Sequence, residues 1–151
     1  MRLIWVLGAF FLSANVAFSA QFCTQDSTSE LPKRDLELTF TQPLVFSADV
    51  SEVKLVWDRA NHIYCSLGVH KISKDALVII PAGLTAKMDT FTTPERFDEL
   101  RGIFFATGTE DLVGYLHCNL SKGSQGNVKI GELAHALQPY LKFNLDLKDC
   151  R

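Results

Sequence analysis

Four cysteines, Cys23, Cys65, Cys118 and Cys150, stand dozens of residues apart in a 151-residue chain, and how they pair constrains the fold more than any other feature. Zinc is the competing use of four thiols, but tetrahedral sites draw two ligands from one tight C-x-x-C turn, and no such turn occurs here. An even count points to disulfides if the chain reaches an oxidising compartment. The opening residues predict that it does. Arg2 supplies a positive start, Leu3 to Leu12 form an almost unbroken apolar run, and small residues follow.

This layout is that of a signal peptide over residues 1–19. Ala17 and Ser19 are the small residues that favour cleavage after Ser19; cleavage after Ala20 would put bulky Phe18 three positions back. The apolar run is too short for the roughly 20 residues that span a bilayer. Cys23 follows Ala20-Gln21-Phe22 and lacks the spacing of a lipoprotein signal. Residues 20–151 are therefore expected to form one secreted or periplasmic domain, since about 132 residues bury one core comfortably and two poorly.

Removing residues 1–19 takes away Arg2 and no acid, which leaves 14 basic against 17 acidic residues and a net charge of −3. The longest basic run is Lys33-Arg34, so no electrostatic footprint for nucleic acid is present. No later apolar run approaches membrane-spanning length, and no membrane span is expected in the mature chain.

Alternation with period two dominates what remains. Leu36, Leu38 and Phe40 alternate with Glu37 and Thr39, and Pro43 interrupts this strand or confines it to an edge. Val53, Leu55 and Trp57 read as the face of a second strand, and Ile63 to Val69 as a third, joined through the polar turn Asp58-Arg59-Ala60-Asn61. Ala76 to Ile80 is a continuous apolar run, expected to be a strand covered on both faces. Leu84, Ala86 and Met88 resume the alternation beyond Pro81 and Gly83. Thr93-Pro94-Glu95 predicts a short helix that buries Phe97 and Leu100. Ile103 to Thr107 and Leu112 to Leu120 flank Gly108-Thr109-Glu110-Asp111 as a hairpin, followed by a polar loop over 121–126. Ile130, Leu133, Leu137 and Leu141 fall on one side of a helix that Pro139 stops, and Leu141 to Leu147 alternate as a terminal strand. About eight strands and two short helices, with no βαβ rhythm, predict a mainly β fold: a disulfide-stapled β-sandwich or partly open barrel with one C-terminal helix packed on it.

The same parity selects a disulfide pairing. Cys65 shares a strand face with Leu67 and Val69, and Cys118 shares one with Leu116 and Leu120, so both point into the core. A Cys65–Cys118 bridge closes a loop of about 50 residues and contributes ~4 kcal/mol on the chain-entropy model. Cys23 and Cys150 then join the two ends.

Chemistry is sparser. His70 and His117 lie on the strand faces opposite the core cysteines, beside Tyr64 and Tyr115, and form a candidate binding surface if those strands are neighbours. His62 at a turn and His135 on the polar side of the helix read as solvent-facing. The cysteines are committed to disulfides, no Gly-x-Ser-x-Gly turn exists, and phosphate-cradling glycine motifs are absent, so no cofactor or metal is implied. Ser66 and Ser121 are isolated serines without a motif. Asp98-Glu99 and Glu110-Asp111 read as solvated charge rather than paired catalytic carboxylates. Asn119-Leu120-Ser121 is a glycosylation sequon. The expectation is a small extracytoplasmic module, without catalysis, that binds a protein, peptide or envelope component, an inhibitor among them. The alternative is a small secreted hydrolase with His117 or His70 as general base.

Overall fold

A computed structural model describes residues 21–70, 74, 76–91, 99–106, 113–120 and 127–150. The leader, the helix start at 93–95, the hairpin tip and the loop at 121–126 lie outside these residues. Among the described residues there are eleven strands: β1 (Gln21–Cys23), β2 (Leu36–Phe40), β3 (Leu44–Phe46), β4 (Glu52–Asp58), β5 (Ile63–Val69), β6 (Val78–Ile80), β7 (Thr85–Phe91), β8 (Glu99–Ala106), β9 (Val113–Asn119), β10 (Leu141–Phe143) and β11 (Asp146–Lys148). One α-helix, α1 (Ile130–Leu137), and one 3-10 turn, Thr28–Glu30, complete them.

Seven strands form one antiparallel sheet in the order β10-β2-β7-β8-β9-β5-β4, curled into a half-barrel. Alternation dictates which way each strand faces. Leu36, Leu38, Phe40, Met88, Leu100, Phe104, Leu116, Cys118, Cys65 and Leu67 line the inner side, all of them buried. The rings of Phe40 and Phe104 meet edge to face there, 5.7 Å between centroids. Helix α1 contacts both edge strands, β10 and β4, and so spans the open side of the half-barrel. Eight residues make a helix too short to persist alone, and tertiary packing of its apolar stripe holds it. Ile130, Leu133 and Leu137 are fully buried, each worth about 1.5–3 kcal/mol relative to exposure. At its start Glu132 accepts the backbone N–H of Lys129 at 2.8 Å.

Cys65 and Cys118 face each other in register on β5 and β9, with Cα atoms 4.1 Å apart, and are joined by a disulfide. The bridge links neighbouring strands of one sheet and faces inward. Cys23 is bonded to Cys150, 127 residues on, beside the parallel pairing of β1 with β11. No helix among the described residues is long and apolar enough to cross a membrane. Two disulfides are consistent with an extracellular or periplasmic protein.

Several expectations are corrected. Trp57 does not share an inward face with Val53 and Leu55: the register shifts between Lys54 and Val56, so Leu55 becomes the extra residue of a bulge. One inserted residue reverses the parity of everything after it, and Trp57 ends opposite Tyr64 with 60% of its surface in solvent. The run Ala76 to Ile80 is not covered on both faces. Its strand β6 pairs only with β3 in a separate two-stranded ribbon, which leaves Leu77 67% and Ile79 60% exposed while Ile80 is buried. Leu100 belongs to β8, in register with Cys118, and not to a helix; Glu99 likewise stands on a strand. The terminal strand divides at Asn144 and Leu145, so that β10 joins the main sheet and β11 pairs with β1.

Candidate functional site

The outer side of β8, β9, β5 and β4 carries every residue of the sequence-derived surface. Opposite parity to the buried cysteines turns Tyr64, Ser66 and Gly68 outward from β5, and Val113, Tyr115, His117 and Asn119 outward from β9. In register, Tyr64 faces Asn119, Ser66 faces His117 and Gly68 faces Tyr115. His70 follows β5 directly, is exposed, and receives its order from a backbone bond to the Val113 carbonyl at 2.9 Å.

These residues gather in two groups rather than one. Tyr64 packs edge to face on Trp57, 4.7 Å between centroids, and the Lys54 ammonium lies 5.1 Å from the centre of the Trp57 ring. At the other end His70 leans on Tyr115, 5.2 Å between centroids. Tyr64 and His70 are six residues apart on an extended chain, or about 20 Å. His117 stands between the groups and borders both hollows of this face. One, about 330 Å³, is walled by Glu52, Lys54, Trp57, Tyr64, Ser66 and His117. The other, about 590 Å³, is walled by His70, Arg101, Ile103, Tyr115 and His117. Arg101 is paired with Glu99 at 2.8 Å.

Tyr115 is held in place from two directions. Its ring lies over Gly68, where a Cβ would run into it. Its hydroxyl donates to Glu52 Oε2 at 2.7 Å. This bond is the main reason the Glu52 carboxyl is held below its ordinary range, with the Ser66 hydroxyl as a second donor. The same bond raises the Tyr115 phenol, because losing its proton would place two negative charges side by side. His117 contrasts with this satisfied pair: its Nε2 is buried and has no hydrogen-bond partner among the described residues. A buried polar atom left unsatisfied costs about 1–3 kcal/mol.

The sequence assigns Trp57 to a strand face with Val53 and Leu55, gives Ser66 no motif and does not single out Glu52. Parity alone could have found Ser66, which lies between Tyr64 and Gly68 on the same face. Glu52 and Trp57 required the β4–β5 register, and with it the bulge. His62 is half-buried in the β4–β5 turn with φ of 56°. In that turn Asp58 accepts from the Asn61 side chain at 2.8 Å, which lowers the Asp58 carboxyl. His135 is exposed on α1, away from the face described. Asn119 is exposed at the end of β9, Leu120 is buried, and the sequon's Ser121 lies outside the described residues. Among the described residues no group of three or more His, Cys, Asp or Glu could hold a metal ion. No family model, curated protein or solved structure matches this chain.

Proposed function

We propose that the mature chain is an exported binding module without catalysis, and that the outer face of β4, β5, β9 and β8 is its binding surface for a protein, peptide or envelope component. One observation carries this reading. Trp57, Tyr64, Tyr115, His117 and His70 stand on the solvent side of a sheet whose core lies on the other side, and Tyr115 is fixed there by Gly68 and Glu52. A surface ordered before contact loses little entropy on binding. Tyr and Trp add large contact areas with few rotatable bonds.

The hydrolase alternative requires a histidine oriented by a carboxylate. Glu52, which shares a hollow with His117, instead accepts from Tyr115 and Ser66. The functional test places a photo-crosslinking amino acid at Tyr64 or at Ile103 of the outer face, and at Lys142 as a distant control, in the native host. Expected is one discrete adduct from the outer face and none from Lys142. Equal labelling at all three positions overturns the surface assignment. The export half is tested by N-terminal sequencing of the native protein, expected to begin at Ala20; a chain beginning at Met1 overturns it.

A further inference from the structure

We propose that the hollow between β4 and β9 is a carbohydrate subsite, which takes one residue of a neutral glycan against Trp57. This deepens the binding-module reading and rests on it. Three features converge on a neutral ligand that has an apolar face and a polar rim, which is the chemistry of a pyranose ring.

The first is the wall. Trp57 keeps 60% of its surface in solvent, an expensive exposure for the largest side chain, and Tyr64 braces it edge-on. The ring face attracts electropositive groups because the aromatic quadrupole is negative there. Lys54 demonstrates that attraction, with its ammonium 5.1 Å from the ring centre. Its stem is flexible and its site is at the surface, so the polarised C–H groups of a sugar can replace it while the ammonium turns to a ring hydroxyl.

The second is the rim. Glu52 is anchored by Tyr115 and Ser66 yet keeps lone pairs for a hydroxyl donor, since a carboxylate offers about four acceptor positions. His117 borders the hollow; its unpartnered Nε2 is buried, and a turn of the ring toward the hollow would let one ligand hydroxyl satisfy it as donor or acceptor according to tautomer. The third is charge and size. Glu52 and Lys54 cancel within the hollow, which disfavours a strongly charged ligand. Its volume of about 330 Å³ is at the small end of ligand sites. The floor is rigid, because Cys65 of the Cys65–Cys118 bridge lies beneath it.

The chain has two tryptophans, Trp5 in the leader and Trp57, so Trp57 is the sole tryptophan of the chain from residue 20 and its fluorescence reports on this hollow. The experiment titrates that protein with three trisaccharides, the trimers of β-1,4 N-acetylglucosamine, β-1,4 glucose and α-1,4 glucose, and with an acetylated, amidated Thr-Val-Thr-Val-Thr peptide. Expected is a saturable fluorescence change with at least one trisaccharide, with Kd on the order of 1 mM or tighter. Tyr64→Ala and His117→Ala should each weaken it about tenfold, while Lys142→Ala, exposed on β10 at the far edge of the sheet, leaves it unchanged. Circular dichroism establishes that each variant is folded. Trp57→Ala, read by calorimetry, should abolish the binding heat. Absence of saturation by all three sugars overturns the proposal, as does binding that Tyr64→Ala and Trp57→Ala leave intact. Saturation by the peptide alone overturns the glycan assignment and leaves the binding-module reading standing.

Discussion

Two glycines on adjacent strands seat aromatic rings on opposite faces of the same sheet. Gly114 on β9 admits the ring of Phe104 on the inner side, and Gly68 on β5 admits the ring of Tyr115 on the outer side. The local device is identical: a missing Cβ allows a ring to lie against backbone. What surrounds it differs. Phe104 is fully buried and locked against Phe40, whereas Tyr115 is half-buried and held by one hydrogen bond to an exposed carboxylate. The inner seat builds the core; the outer one fixes a half-buried side chain at the surface, in contact with an exposed carboxylate.

The largest effect is expected on the inner side. Phe104→Ala should cost about 3–5 kcal/mol, because the ring leaves a cavity that the flanking strands cannot close; chemical denaturation measures it, and a loss below 1 kcal/mol would mean that the inner seat is not part of the core. Gly114→Ala follows, at about 2–3 kcal/mol. Its new Cβ meets both the Phe104 ring and the Gly68 carbonyl oxygen, and a backbone oxygen in a paired strand cannot step aside. Gly68→Ala should cost only about 1 kcal/mol, since the Tyr115 ring can swing into solvent. The same change should release the Glu52 bond, visible as a Glu52 carboxyl that titrates nearer its ordinary range by NMR. Equal losses for the two glycine substitutions would break the contrast.

The smallest effect is a pH dependence. The Tyr115 phenol is raised in the folded chain, so its contribution is complete below the unfolded pKa near 10 and is lost as pH rises through the folded value. The Glu52 carboxyl is lowered, so its contribution is present above the ordinary carboxyl pKa and is lost as pH falls through the folded value. Tyr115→Phe should remove the alkaline component and most of the acid one, seen as a flatter melting-temperature profile at both extremes; an unchanged profile would show that the bond contributes nothing to the fold.

The inner seat was more legible in the sequence than the outer one. Parity along Ile63–Val69 and Leu112–Leu120 sufficed to turn Cys65 and Cys118 inward and to pair them, and the helix at Ile130 announced itself by its apolar stripe. Parity also put Tyr64, His70, Tyr115 and His117 on the outer face. It could not supply Trp57, because the bulge at Leu55 carries no glycine or proline to mark it, and a single inserted residue reverses every assignment downstream. Glu52 meets its two donors, Tyr115 and Ser66, only through cross-strand register, which no single strand encodes. The ribbon of β3 and β6 was misread for a related reason: a continuous apolar run does not say whether a second layer covers it, and here Val45 and Ile79 sit opposite each other in solvent.

The Cys23–Cys150 bond gives the polypeptide the connectivity of a ring over 127 residues of separation. A protease that severs the backbone once anywhere between residues 24 and 149 therefore liberates nothing: both pieces remain covalently attached through sulfur and migrate as one species until a reductant is added. Separation of the pieces requires either reduction or a second cut that frees a segment held by neither bridge.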